Sequence, residues 1–197
     1  MQTIPDSKKL IDGHAMIARA VIVACSKHRT QVRKGTTIPY ISHLFAVAGL
    51  VLEHGGSLAQ ATAGVLHDVV EDTTATNDDV RTEFGDEIAD IVEACTDTSG
   101  DATGAAKAPW RERKQKHLAT LAHVSREAAL VIACDKLHNL RTQISDLLAT
   151  GHTVEFNASR DDREWLHLET LCILRELIPM RLANELTQAT SVWHDLS

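Results

Sequence analysis

The sequence predicts an all-α protein, and three observations carry that expectation. Apolar residues recur at three- and four-residue steps through every long segment, which is the spacing of one face of a helix. No stretch alternates apolar and polar residues well enough to be a half-buried strand. The 197 residues include only 10 Gly and 4 Pro, with 44% hydrophobic and 24% charged, a composition suited to a packed helical chain and unlike a disordered one. That length supports one sizeable core, so a single domain across residues 1–197 is expected, as a bundle of about eight to ten helices.

In chain order, the first helix is expected over residues 7–29, where Leu10, Ile11, His14, Ile17, Ala18, Val21, Ile22 and Cys25 keep the helical spacing. The run KHRTQVRKGTTIPY follows, with Arg29, Arg33, Lys34, Gly35 and Pro39, and reads as a basic loop entering a second helix near Pro39. That helix, roughly 39–54, carries Ile41, Leu44, Phe45, Val47, Ala48, Val51 and Leu52 and closes at Gly55-Gly56. Ser57 is the expected N-cap of a third helix, which runs through LAQATAGVLHDVVED to Asp72-Thr73 and begins with residues small enough for close helix approach. A short amphipathic helix over 76–84, a break at Gly85 and a helix over 86–96 come next, with Thr76, Asp79 and Asp86 supplying cap chemistry.

Residues 97–109, DTSGDATGAAKAP, are the most loop-like stretch, a lid or a surface segment. After Pro109, WRERKQKHLATLAHV reads as a helix with one basic side. The most apolar helix is expected from Ser125, its cap, to Gly151, its stop. The loop GHTVEFNAS then leads to two last helices, 160–178 and 180–194, divided at Pro179 and completing the core.

Composition also excludes functions. A formal charge of −7 argues against nucleic acid as a general partner, although a local basic pocket can still hold a small polyanion. No stretch reaches the ~20 apolar residues of a membrane helix, and MQTIPDSKKLIDG lacks a signal-peptide core, so no membrane partner and a cytoplasmic location are expected. Cys25, Cys95, Cys134 and Cys172 lie far apart among apolar neighbours and read as small buried hydrophobes, neither a disulfide framework nor a thiolate metal site.

Chemistry concentrates in GVLHDVVEDTT, residues 64–74. On a continuous helix, His67, Asp68, Glu71 and Asp72 fall within about 140° of one face, since each residue turns about 100°. A solvated acidic face is the plain alternative. Two other helices weigh against it by offering metal-ligating groups from apolar surroundings: His43 in YISHLFAV and Asp135 in VIACDKLHNL. An aspartate inside so apolar a helix costs on the order of a few kcal/mol unless a cation, a hydrogen-bond network or a proton neutralises it. A salt bridge to Lys136 or Arg141 would be the structural answer. Mixed imidazole and carboxylate ligands suit Mn, Fe, Co or Zn, and such a metal with open positions activates water.

Four motifs in order carry a family resemblance: Arg33-Lys34-Gly35 with Pro39-Tyr40 and His43; Val65 to Thr73; Phe84-Gly85 with Cys95-Thr96; and Cys134 to Arg141. Across about residues 28–145 the chain resembles the HD hydrolase superfamily, and within it the RelA/SpoT-type hydrolase branch. Its length and PWRERK at 109–114 resemble the stand-alone small alarmone hydrolases of that branch. The resemblance implies one Mn²⁺ per chain, held by His43, His67, Asp68 and Asp135. It implies that Glu71 and Asp72 orient or deprotonate the attacking water and assist the leaving group. The implied reaction is removal of the 3′-pyrophosphate from (p)ppGpp or (p)ppApp, leaving the 5′-nucleotide and pyrophosphate.

The resemblance further implies that Arg33 stacks on the base with Lys34 beside it, and that Thr96 and Asn139 line the nucleotide site. Lys107, Arg111, Arg113 and Lys114 are candidates for holding phosphates, a solvated basic face being the alternative. After Thr96 the chain reads Asp97-Thr98-Ser99, where long RelA/SpoT enzymes carry a lysine, so one side of the base pocket is altered and adenine becomes admissible. Two rivals compete: an HD-type phosphatase acting on another nucleotide such as NADPH, and a non-catalytic HD domain that binds an alarmone. The partner is in each case a small nucleotide, with a homodimer as a candidate assembly.

Overall fold

Side-chain caps set where several helices begin. In the computed structural model, which describes residues 7–97, 108–152 and 158–196, the Ser57 hydroxyl accepts from the Gln60 amide while the Gln60 side chain accepts from the Ser57 N–H. Thr76 and Asp79 form the same reciprocal box, and Ser125 and Ser159 accept from Ala128 and Asp162. Each cap satisfies donors that a helix start leaves without partners and is worth about 1 kcal/mol.

Among the described residues there are ten helical segments and no strands, apart from an isolated antiparallel bridge between Val32 and Pro39. The helices are α1 (Ser7–Lys27), α2 (Ile41–Glu53), α3 (Leu58–Leu66), α4 (Val69–Asp72), α5 (Asn77–Phe84), α6 (Asp86–Cys95), α7 (Trp110–Leu121), α8 (Arg126–Thr150), α9 (Arg160–Leu174) and α10 (Met180–Leu196). The all-α class and the bundle of eight to ten helices are therefore met. No helix among the described residues is long and apolar enough to cross a membrane.

The chain divides into two compact units, Met1–Thr96 with α1–α6 and Asp97–Ser197 with α7–α10. In the first, α3 is central and packs against α1, α2 and α6. Its Ala61, Ala63, Val65 and Leu66 are buried, as are Ala20 and Ala24 of α1, Leu44, Val47 and Val51 of α2, and Ile88, Ala89 and Val92 of α6. A Cβ at Gly64 would lie 3.3 Å from the Ala48 Cα, so the two backbones approach as closely as a glycine allows. In the second unit α8 and α9 both pack against α10, and α7 against α9, burying Leu137, Leu140, Leu174, Leu182, Leu186 and Trp193.

Two expectations are corrected. The third helix does not continue to Asp72: α3 ends at Leu66, Asp68 takes φ −98° and ψ 0°, and α4 is a separate four-residue turn. With ψ near zero Asp68 lies in the bridge region outside the helix, so the chain bends there and the four ionisable residues do not share one continuous helix face. The cysteines are not uniformly buried. Cys134 is buried and Cys95 half-buried, whereas Cys25 and Cys172 are exposed, on the outer sides of amphipathic helices; none of the four is in a disulfide.

Candidate metal and catalytic centre

The loop before α2 is folded as a tight turn. The Arg33 N–H donates to the Ile38 carbonyl (2.8 Å) and the Tyr40 N–H to the Gln31 carbonyl (3.0 Å), with Gly35 at φ 73° providing the left-handed residue that the reversal needs. This brings Tyr40 to the head of α2, where the His43 N–H donates to the Tyr40 carbonyl (2.9 Å). His43 is thereby turned inward and is 1% exposed, and His67, just after α3, is 3% exposed.

The two imidazoles converge on one carboxylate. His67 Nε2 lies 3.1 Å and His43 Nε2 3.6 Å from Asp68 Oδ2, and the rings meet edge to face with centroids 5.1 Å apart. His67 Nδ1 lies 2.8 Å from the Gly64 carbonyl oxygen. A carbonyl only accepts, so Nδ1 carries the hydrogen, and in the neutral ring Nε2 turns its lone pair towards Asp68. Two electron-rich atoms 3.1 Å apart repel unless a cation or proton lies between them. Two ligands about 2.1 Å from one divalent ion and at right angles to each other lie about 3.0 Å apart, so the donor set fits such an ion in kind and spacing.

Tyr40 donates its hydroxyl to Asp68 Oδ2 at 2.6 Å, fixing the carboxylate that both imidazoles face. Glu71 and Asp72 stand on α4 and are exposed. Gln31 Nε2 donates to Asp72 Oδ2 at 2.7 Å, and His28 Nδ1 lies 2.6 Å from Gln31 Oε1. Arg33 places its guanidinium carbon 5.7 Å from the centroid of the Tyr40 ring, a cation–π contact, and Lys34 is exposed on the same turn.

In the second unit, Asp135 sits in the middle of α8 and is 9% exposed. Lys136 Nζ is 2.8 Å from its Oδ2 and Asn139 Nδ2 donates to its Oδ1 at 2.6 Å. The local salt bridge considered for Asp135 thus exists with Lys136, while Arg141 pairs with Glu185 at 2.8 Å. Thr96 follows α6 and gives its hydroxyl to the Val92 carbonyl.

The basic residues of α7 are drawn to separate partners. Arg111 pairs with Asp162 at 2.7 Å and lies 4.3 Å from the Trp165 ring centroid, Lys114 pairs with Asp97 at 2.7 Å, and Arg113 donates to the Ala108 carbonyl. Beside Lys114, burial pushes the His117 imidazole down to about 4; Lys136 adds to the fall and Asp97 opposes it. Lys107 and most of the 97–109 loop lie outside the described residues.

Tyr40, Gln31 and His28 hold site carboxylates in place, and no role is assigned to them by the sequence reading. Tyr40 had a usable signal: it lies three residues before His43, one helical turn away. Gln31 had none, because its partner Asp72 is 41 residues away.

The family model described as the HD domain matches residues 20–156. A Xenopus tropicalis protein named guanosine-3′,5′-bis(diphosphate) 3′-pyrophosphohydrolase MESH1 is 39% identical over 130 residues, which cover 64% of this chain and 69% of that protein. The Homo sapiens protein of the same name is 39% identical over 132 residues, with the same coverage of 64% and 69%. A solved structure described as a metazoan ortholog of SpoT that hydrolyzes ppGpp and plays a role in starvation responses aligns with TM-score 0.71 and 25% identity, covering 96% of this chain and 97% of that one. With a domain match over most of its length and these relatives beside it, the chain belongs to the HD-domain family, in its RelA/SpoT-type hydrolase branch.

Proposed function

We propose that this chain is a metal-dependent pyrophosphohydrolase that removes the 3′-pyrophosphate from guanosine or adenosine alarmones, (p)ppGpp or (p)ppApp. Water cleaves the ester between the ribose 3′ oxygen and the pyrophosphate, giving the 5′-nucleotide and pyrophosphate. The observation that carries this reading is the convergence of buried His43 Nε2 and His67 Nε2 on Asp68 Oδ2, with two exposed carboxylates just beyond. The names borne by the 39%-identical relatives support the same substrate class.

In this proposal His43, His67, Asp68 and Asp135 hold one Mn²⁺, which when bound supplies Lewis-acid activation of water. Tyr40 fixes Asp68 through its hydroxyl, so the ligand is ready before the ion arrives. Glu71 and Asp72 orient the attacking water and take its proton. Arg33 presents a planar cation to the purine with Lys34 beside it, and Thr96 and Asn139 line the nucleotide site. Arg111, Arg113, Lys114 and Lys107 serve the phosphates, the first and third by exchanging Asp162 and Asp97 for the more highly charged substrate. Residues 1–197 act as one hydrolase domain in the cytoplasm, on a small nucleotide.

The test is a nucleotide panel incubated with the purified chain and Mn²⁺, reading pyrophosphate against orthophosphate. Pyrophosphate released only from 3′-pyrophosphorylated nucleotides is expected. Orthophosphate alone, from NADPH or another phosphomonoester, would replace this reading by a phosphatase, and binding without any product by an alarmone-binding domain.

A further inference from the structure

Asp72 is an exposed carboxylate on a single turn of helix, a poor platform for a group that must hold water in one orientation. Its side chain is nevertheless anchored from outside that turn. Gln31, in the loop after α1, donates Nε2 to Asp72 Oδ2 at 2.7 Å, and the Asp72 N–H donates to the Asp68 carbonyl at 2.9 Å. An amide side chain has two ends of nearly equal size, and flipping it would set Oε1 against the carboxylate. His28 prevents the flip.

An ionised carboxylate only accepts, so Gln31 must turn its NH₂ to Asp72 and its carbonyl to His28, and His28 Nδ1, 2.6 Å away, must be the donor. The His28 ring is itself immobilised: it is buried and stacks on Tyr40 at 5.2 Å between centroids with 20° between planes. The chain His28 Nδ1–H to Gln31 Oε1, then Gln31 Nε2–H to Asp72 Oδ2, is thus polarised in one direction from a fixed ring to an exposed oxygen. It ties down Oδ2 and leaves Oδ1 for water.

We propose that Gln31, with its amide held in one sense by the buried ring of His28, is the positioning residue for Asp72 and sets the orientation in which this carboxylate meets the attacking water. The proposal rests on the hydrolase reading above, which gives Asp72 its water; the hydrogen-bonded chain itself does not depend on it.

The experiment uses two readouts on the full chain. Side-chain amide spectra, recorded with Mg²⁺ in place of paramagnetic Mn²⁺, follow the Gln31 NH₂ pair, assigned as the signal missing from Gln31→Leu. It should be protected from solvent exchange in the wild type, move in Asp72→Asn, lose protection in His28→Phe and keep it in His28→Asn, whose amide nitrogen can replace Nδ1 as donor. Turnover with Mn²⁺ is then measured on the substrate that releases pyrophosphate. Gln31→Leu should lose on the order of tenfold to a hundredfold in kcat with KM within about twofold, the mark of a misplaced catalytic group.

The order of the two His28 variants separates positioning from packing. Phenylalanine keeps the stack on Tyr40 and loses the donor, whereas asparagine keeps the donor and loses the stack, so His28→Asn should retain more kcat than His28→Phe. The reverse order, or a Gln31→Leu variant with wild-type kcat, overturns the proposal. Should a His28 variant fail to fold, Gln31→Leu, at a half-buried surface position, decides alone. An exposed, unprotected Gln31 amide in the wild type also overturns it. Absence of turnover in the wild type with a protected amide instead defeats the hydrolase reading and the positioning role that rests on it, leaving only the hydrogen-bonded chain.

Discussion

At the scale of residues, the centre turns on Asp68, whose Oδ2 meets a tyrosine hydroxyl and two imidazole nitrogens. Asp68→Ala should reduce Mn²⁺-dependent turnover to background while the helical circular dichroism is unchanged; full activity in that variant would remove the metal assignment. Tyr40→Phe leaves the proposed ligands in place and loosens Asp68, so Mn²⁺ affinity read by calorimetry should fall by about 10–100-fold. Two histidines of the second unit make a separate, pH-dependent contribution. Burial pushes His117 and His167 each down to about 4, assisted by the nearby cations Lys136 and, for His167, Arg163. Between their ordinary value of about 6.5 and about 4 the unfolded chain takes up protons that the folded chain refuses. Stability is therefore complete above pH 6.5 and lost as the pH falls through that window, by up to about 1.4 kcal/mol per pH unit for each histidine. Urea midpoints at pH 7 and pH 5 should differ accordingly, and less so in His117→Gln.

At the scale of elements, α3 is positioned by one absent side chain. Its Gly64 backs onto the Ala48 backbone of α2, and the carbonyl of the same residue receives His67 Nδ1, so helix packing and imidazole orientation depend on the same place. Gly64→Ala should force α2 and α3 apart at a cost of about 1–3 kcal/mol, read as a lowered urea midpoint, and should also weaken Mn²⁺ binding by moving His67 relative to His43. An unaltered midpoint would show that the helices can separate freely. The bend at Asp68 has its own consequence. By ending α3 it allows the carboxylate of Asp68 to meet Tyr40 and puts Glu71 and Asp72 on a turn of their own, where Gln31 reaches Asp72. His67 and Asp68 are thereby separated from Glu71 and Asp72, their neighbours in sequence, onto two supports.

At the scale of the whole molecule, His43, His67 and Asp68 belong to one compact unit and Asp135 with Asn139 to the other. An ion bound at the His43–His67–Asp68 cluster would stabilise the fold by mass action, by about 2.7 kcal/mol at a hundred times its Kd. Chelation should therefore abolish activity and lower Tm, and Mn²⁺ should restore both; a Tm indifferent to metal would count against a site of high affinity. What the sequence by itself determined was whatever local rules govern: the all-α class and the starts of α3, α5 and α8 at Ser57, Thr76 and Ser125, while the cost of polar groups in apolar surroundings marked out His43, His67 and Asp135 as candidates for a metal site. Only the tertiary structure decided the bend at Asp68, the 28-residue reach of Tyr40 to Asp68, the 41-residue reach of Gln31 to Asp72, and the pairing of Arg111 with Asp162 and Lys114 with Asp97. The physical reason is range. Caps and helical spacing join residues within a turn or two of each other, whereas these contacts join groups that only packing brings together.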